Sequence, residues 1–232
     1  MNKLTAICMS TVHARNLPVL LKSIEQYVPD EVQIYIAHKG IHHMDYHSKK
    51  HAMNLVKTDA ENYGDAYNFI CKRAFENHES IIVCNDDIVF HPDTYDILQK
   101  EYSFIRNEIG NLLGWLGCRT DYAAGVQNIR WSEDQKRIGI KFEYETKPVE
   151  SHFIAPICAA IHRDSWIDYL PINWYSDSIQ CSMMNDKGLH HIVSTAYVHH
   201  VGSQSLDAGY IEREKALDYL QKNNVEYYEA LK

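Results

Sequence analysis

The chain has 232 residues, 45% of them hydrophobic, enough to bury the core of one α/β domain. A formal charge of -8 and a pI near 5.9 argue against wholesale binding to nucleic acid or an anionic membrane. No apolar run approaches the ~18 residues of a membrane span, and Met1-Asn2-Lys3-Leu4 leads into a strand-like segment without a signal-peptide pattern. Six scattered cysteines (Cys8, Cys71, Cys84, Cys118, Cys158, Cys181) form no C-x-x-C pair. They read as reduced core cysteines, and the expectation is a cytoplasmic protein.

Leu4 to Met9 is a short apolar segment and a first strand. Asn16 is placed to cap a helix over 17–27, where Leu17, Leu20, Leu21 and Ile24 recur at helical spacing and Pro18 sits in the first turn. Val32 to Ala37 is the next strand, so the chain opens β-α-β, which favours parallel pairing. His38, His42, His43, His47 and His51 follow. As a helix, His43, His47 and His51 would share a metal-binding face; the preferred reading is a polar loop near a ligand. Leu55-Val56-Lys57 is a short strand, and Asp65 is placed to cap a helix through Asn68, Ile70 and Ala74.

The chain is organised around Ser80-Ile81-Ile82-Val83-Cys84-Asn85-Asp86-Asp87-Ile88-Val89-Phe90-His91-Pro92-Asp93. A run suited to one buried strand stops at two adjacent carboxylates. Unpaired carboxylates at a strand tip are expensive unless a counter-charge, hydrogen bonds or a hard cation satisfies them. The carboxyl ends of strands in open α/β sheets are also where ligands bind. A metal-phosphate site and a solvated turn both fit this stretch alone. A helix capped by Asp93 or Thr94 then runs to Gly110, followed by a strand over 112–118, an irregular region over 119–150 and a strand over 153–161. Later come a turn region with Trp166 and Trp174, a helix over 176–187 closed by Gly188, a strand over 191–198, and one or two helices over 210–231. Alternating strands and helices without a Pro/Gly/Ser-rich linker predict a mostly parallel sheet flanked by helices.

Four motifs now stand in order. They are Ile7-Cys8-Met9-Ser10-Thr11-Val12-His13-Ala14-Arg15-Asn16-Leu17-Pro18, Asn62-Tyr63-Gly64-Asp65-Ala66-Tyr67-Asn68, the Asn85-to-Asp93 stretch, and Trp174-Tyr175-Ser176-Asp177 leading through Gly188 to His199-His200-Val201-Gly202-Ser203. Together, over about residues 4–205, they resemble family 2 glycosyltransferases of the GT-A fold. The resemblance implies one Rossmann-like GT-A domain over 1–232, with a mostly parallel sheet and a small mixed acceptor-side region. Its nucleotide-sugar half would be 1–118, its acceptor and catalytic half 119–205, and its C-terminal helices 206–232.

The resemblance also implies metal-dependent, inverting transfer of one sugar from a nucleoside-diphosphate sugar to an acceptor hydroxyl. Asp87, in the position of the family's D-x-D motif, and His199 would hold Mn2+ or Mg2+; the resemblance prefers His199 to His200, and since strand neighbours face opposite ways only one of the two would face the site. Thr11, His13, Arg15, Ala37, Gly64, Asn68, Asn85 and Asp86 would surround the nucleotide sugar. Asp177 would be the general base in the company of the other motifs, although alone it reads first as a helix N-cap. The family's Asp after the second strand is replaced within Ile36-Ala37-His38-Lys39-Gly40, which leaves the nucleotide open. Without the Q-x-x-R-W motif of processive synthases, single-sugar transfer is implied. The acceptor is a saccharide, a protein, or a hydroxymethylated DNA base as in some bacteriophage enzymes of this fold; DNA would require Lys39, Lys49, Lys50, Arg119 and Arg130 to gather on one face. The rival readings are a sugar-nucleotidyltransferase, disfavoured because 11–16 contains no glycine, and a non-catalytic nucleotide-sugar-binding protein.

Overall fold

The computed structural model describes residues 2–12, 15–40, 50–121, 123, 125–131, 141–142, 146–201 and 209–231. Its strands are β1 (Ala6–Thr11), β2 (Gln33–His38), β3 (Met53–Lys57), β4 (Ser80–Cys84), β5 (Ile88–Phe90), β6 (Leu113–Thr120), β7 (Arg130–Trp131), β8 (Lys141–Phe142), β9 (Val149–Ser151), β10 (Cys158–His162) and β11 (His190–His200). Its helices are α1 (Leu17–Tyr27), α2 (Tyr63–Phe75), α3 (Thr94–Ile109), α4 (Ser176–Asp186), α5 (Gly209–Asn223) and α6 (Val225–Ala230).

The main sheet runs β3-β2-β1-β4-β10-β6-β11-β5, with β9 added on β11, and β7 and β8 form a separate pair. β3, β2, β1 and β4 are mutually parallel, as are β6 and β11. β10 runs antiparallel between β4 and β6, while β5 and β9 run antiparallel to β11. The parallel strands therefore end along one edge of the sheet, bringing together the tips of β1, β2, β4, β6 and β11.

Both faces of the sheet are covered, as near-continuous apolar strands require. Ile7, Met9, Ile34, Ile36 and Ile82 pack with Leu20 and Ile24 of α1 and Leu98 and Tyr102 of α3. On the other face Ala6, Cys8, Tyr35 and Val83 pack with Tyr67, Ile70 and Ala74 of α2 and with Cys181 and Met184 of α4. Each fully buried Leu or Ile contributes about 1.5–3 kcal/mol. A third cluster joins Ala216 and Leu220 of α5 to Ile172 and Ile179, seating the C-terminal helices on the start of α4. All six cysteines are buried and free. No helix among the described residues is long and apolar enough to cross a membrane.

Several local expectations are corrected. Asn16 has helical backbone angles and makes no side-chain capping bond. α2 begins at Tyr63 because Asn62, not Asp65, is its cap: the Asn62 side chain accepts the Asp65 N–H at 2.8 Å. The strand expected over 153–161 shrinks to β10. Pro156 lacks an N–H for the ladder, and Ile157 N–H turns back to Ala155 O at 2.7 Å.

Candidate functional site

The tip of β4 is held from both sides. Asn85 N–H donates to Ile157 O at 2.9 Å, and the Thr11 hydroxyl donates to Asp86 Oδ2 at 2.5 Å, so the ends of β1 and β4 are tied together. Asp87 points into the protein and is only 8% exposed. Its carbonyl accepts the Val201 N–H at 2.9 Å, which docks the end of β11 against it. His200 Nε2 lies 3.1 Å from Asp87 Oδ1 without hydrogen-bond geometry, so that buried oxygen has no hydrogen-bond partner.

The pairing of Asp87 with His199 is therefore corrected: His200 is the imidazole beside Asp87. His200 follows Ala196 and Val198 on the inward face of β11, whereas the His199 side chain is 42% exposed and places Nδ1 2.9 Å from Asp121 Oδ2. Asp121, buried just beyond β6, also accepts the His200 N–H on Oδ1 at 2.9 Å. The period-two run Ala196, Val198, His200 is the sequence signal for the inward imidazole.

Beside the β4 tip lies a cleft of about 120 Å³ lined by Tyr63, Asn85, Ala155, Pro156, Ile157, Asn173 and Asp177. Asp177 occupies the first turn of α4, and its Oδ1 accepts the Ser178 N–H at 2.8 Å. The helix is entered through Tyr175, the only described non-glycine residue with a left-handed backbone (φ 66°), a conformation that costs about 1–3 kcal/mol. Arg213 Nε of α5 donates to the Tyr175 hydroxyl at 2.7 Å, so the C-terminal helices brace this turn. Burial raises the Asp177 pKa, partly offset by the Ser178 N–H. A half-buried carboxylate with a raised pKa facing a cleft suits a general base. Tyr63, on the opposite lining, has its phenol pushed well up by burial and then by the Asp177 charge. Tyr63 and Asn173 join the lining although the sequence reading assigned them nothing; Tyr63 N–H donates to Asn173 Oδ1 at 2.7 Å.

Other expected contacts are used by the protein itself. The Asn68 amide is spent on one residue: its Nδ2 donates to Tyr169 O at 2.9 Å and its Oδ1 accepts the Tyr169 N–H at 2.8 Å. Gly64 lies under the Leu170 carbonyl, where an added Cβ would come within 1.8 Å of the oxygen. Both clamp α2 against the segment ahead of α4, a packing role that the expected nucleotide contact did not include. Ala37 is fully buried in β2 and packs in the core. Arg15 is exposed ahead of α1. His13 lies outside the described residues, as do His42, His43 and His47. His51 precedes β3 outside any helix, with Nδ1 2.9 Å from Val32 O. Arg119 is 4% exposed and so belongs to no basic surface.

Among the described residues no three His, Cys, Asp or Glu side chains converge as a metal cage. The Asp87 carboxylate and His200 imidazole nevertheless fit a divalent cation sharing its remaining positions with phosphate oxygens and water. The buried Asp87 Oδ1, without a hydrogen bond and with the His200 ring nitrogen 3.1 Å away, is the observation favouring that fit.

No family model and no curated protein matches the sequence. Solved structures do match in shape. GalNAc-T7 with UDP, GalNAc and Mn2+ superposes with a TM-score of 0.65 at 13% identity, over 88% of this chain and 45% of that one. S. aureus TarS 1-349 with UDP-GlcNAc gives 0.62 at 12% identity, over 89% and 61%. The mannosyltransferase PcManGT of Pyrobaculum calidifontis, with GDP-Man and Mn2+, gives 0.61 at 14% identity, over 94% and 63%. This is a GT-A fold. The chain spans less than two thirds of each of these structures, and at such identity the likeness is one of fold. Within the GT-A fold, the Asn85–Asp87 tip, His200 and Asp177 all stand at the carboxyl edge of the sheet.

Proposed function

We propose that the chain is a metal-dependent, inverting glycosyltransferase that moves one sugar from a nucleoside-diphosphate sugar to an acceptor hydroxyl. The observation that carries this reading is the buried Asp87 Oδ1, without a hydrogen bond and 3.1 Å from His200 Nε2, two residues from the Asn85 that shares a cleft with Asp177. The fold adds support, since similar structures hold UDP, UDP-GlcNAc or GDP-Man.

Asp87 and His200 are the residues that would hold Mn2+ or Mg2+, a Lewis acid for the departing diphosphate. Thr11 keeps Asp86 oriented at the donor side of the cleft. Asp177, on the cleft wall formed by α4, accepts the proton of the acceptor hydroxyl as its oxygen attacks the sugar carbon. The new glycosidic bond forms from the face opposite the breaking carbon–phosphate-oxygen bond, which inverts the anomeric centre. Tyr63, kept protonated by burial, narrows the same cleft.

The test is a thermal-shift panel of nucleoside diphosphates with and without Mn2+, since a ligand of the native state raises the melting temperature. One nucleotide should stabilise the protein only when metal is present, and the matching sugar nucleotide should be turned over. A panel with no metal-dependent shift would remove the reading.

A further inference from the structure

Arg119, next to last in β6, is a buried guanidinium, and no ion pair among the described residues includes it. Its Nε and Nη2 atoms have neither solvent nor a hydrogen-bond partner. These two nitrogens form one side of the guanidinium fork, the edge that takes a carboxylate or phosphate through two parallel hydrogen bonds. The nearest carboxylate in sequence, Asp121, already serves the His199 imidazole with one oxygen and the His200 N–H with the other.

The sheet register gives this empty fork an address. Cys158 pairs with Cys84 and Ala159 with Gly117, so one step on, Asn85, Ile157 and Arg119 fall in one row across β4, β10 and β6. Two of the three line the cleft with Asp177. Two strand spacings separate Asn85 from Arg119, about 10 Å, roughly the length of one sugar with its substituent. Alternation along β6 sets Arg119 on the face of Gly117, which packs under Ile154 and Gln127, and of Trp115, which bonds Gln180 of α4. That is also the face of Asp177. The donor side, with Thr11 and Asp86, lies in the other direction along the row.

We propose that Arg119 anchors an anionic group, a phosphate or carboxylate, carried by the acceptor next to the hydroxyl that is glycosylated. The assignment rests on the cleft being the transfer site. Nε and Nη2 are shielded from solvent, so binding requires the Gln127 and Ile154 segments that cover this face to move; the anion then supplies the partner that a buried charge otherwise lacks.

The experiment compares wild type, Arg119→Met and Arg119→Lys in the presence of Mn2+ and the stabilising nucleoside diphosphate. Glucose, glucuronate and glucose 6-phosphate are titrated by calorimetry, the last two separating carboxylate from phosphate. Wild type should bind at least one anion tenfold or more tightly than glucose. Arg119→Met should abolish that preference, and Arg119→Lys should keep part of it. Both variants should hold the nucleotide within twofold of wild type. The methionine variant should melt at or above the wild-type temperature, since it removes an unpaired buried charge. Equal binding of anions and glucose by wild type, or an undiminished preference in Arg119→Met, would overturn the proposal. So would parallel loss of nucleotide and anion, which would give Arg119 to the donor. Failure of wild type to bind any nucleotide while the anion preference holds would instead sink the transferase reading, leaving Arg119 an anion site.

Discussion

Two aspartate–histidine pairs meet at the end of β11, and they are built differently. Asp121 has both carboxylate oxygens occupied, by the His199 ring and the His200 N–H, and its histidine is 42% exposed. Asp87 is nearly as buried, yet Oδ1 has no hydrogen bond, and its histidine is buried with it. A satisfied carboxylate holds the fold together. One with an imidazole beside it but no hydrogen bond recovers less of its desolvation cost, and a cation would recover more. The neighbouring imidazoles thus sit differently: His199 pairs with Asp121 at the strand end, and His200 lies beside Asp87, where the proposed function would have it face the metal.

The largest effect tests a carboxylate outside both pairs. Asp177→Asn should lower sugar transfer about 1,000-fold, the scale of losing a general base, while calorimetry shows nucleotide binding intact. The same variant has a pH signature. Burial raises the folded-state pKa of Asp177, so its ionisation opposes folding. That penalty is absent below the ordinary aspartate range, grows as pH rises towards the raised value, and is complete above it. Asp177→Asn should therefore be more stable than wild type at pH 7 and no more stable at pH 3, as urea unfolding would show.

Next come the members of the unsatisfied pair. Asp87→Asn and His200→Ala should each weaken Mn2+ binding about 100-fold, measured by the Mn2+ electron-spin signal. Without metal, Asp87→Asn should unfold at the same urea concentration as wild type or higher; a clear loss would mean that Asp87 is structural after all. Asp121→Asn should behave in the opposite way, costing about 2 kcal/mol in urea because a buried acceptor network is broken. It should weaken Mn2+ only about tenfold, through the orientation of His200. The smallest effect belongs to His199→Ala, under about 1 kcal/mol for a half-exposed pair. A Mn2+ loss in His199→Ala matching that in His200→Ala would erase the distinction between the pairs.

The helical period over Leu17–Tyr27, the apolar run of β4, and the carboxylates that stop it were all legible in the chain. So was Asp177 at the start of a helix. Asn68 and Gly64 were legible as special residues but not in their work, because their partners, Tyr169 and Leu170, lie about a hundred positions away. The cleft lining was only partly legible: Asn85 and Asp177 stand out, but Tyr63 and Asn173 meet them only through packing of α2 against the turn before α4.

By itself the sequence determined the alternation of strands and helices, the placing of two charges where a buried strand ends, and the presence of two candidate histidines. Local spacing suffices for these, because secondary-structure period and burial are read over a few residues. Only the tertiary structure decided which histidine meets Asp87, which carboxylate is left unsatisfied, and that Arg119 is buried with an empty fork. Each depends on strands far apart in the chain lying side by side in one sheet, and on the face that each strand turns inward.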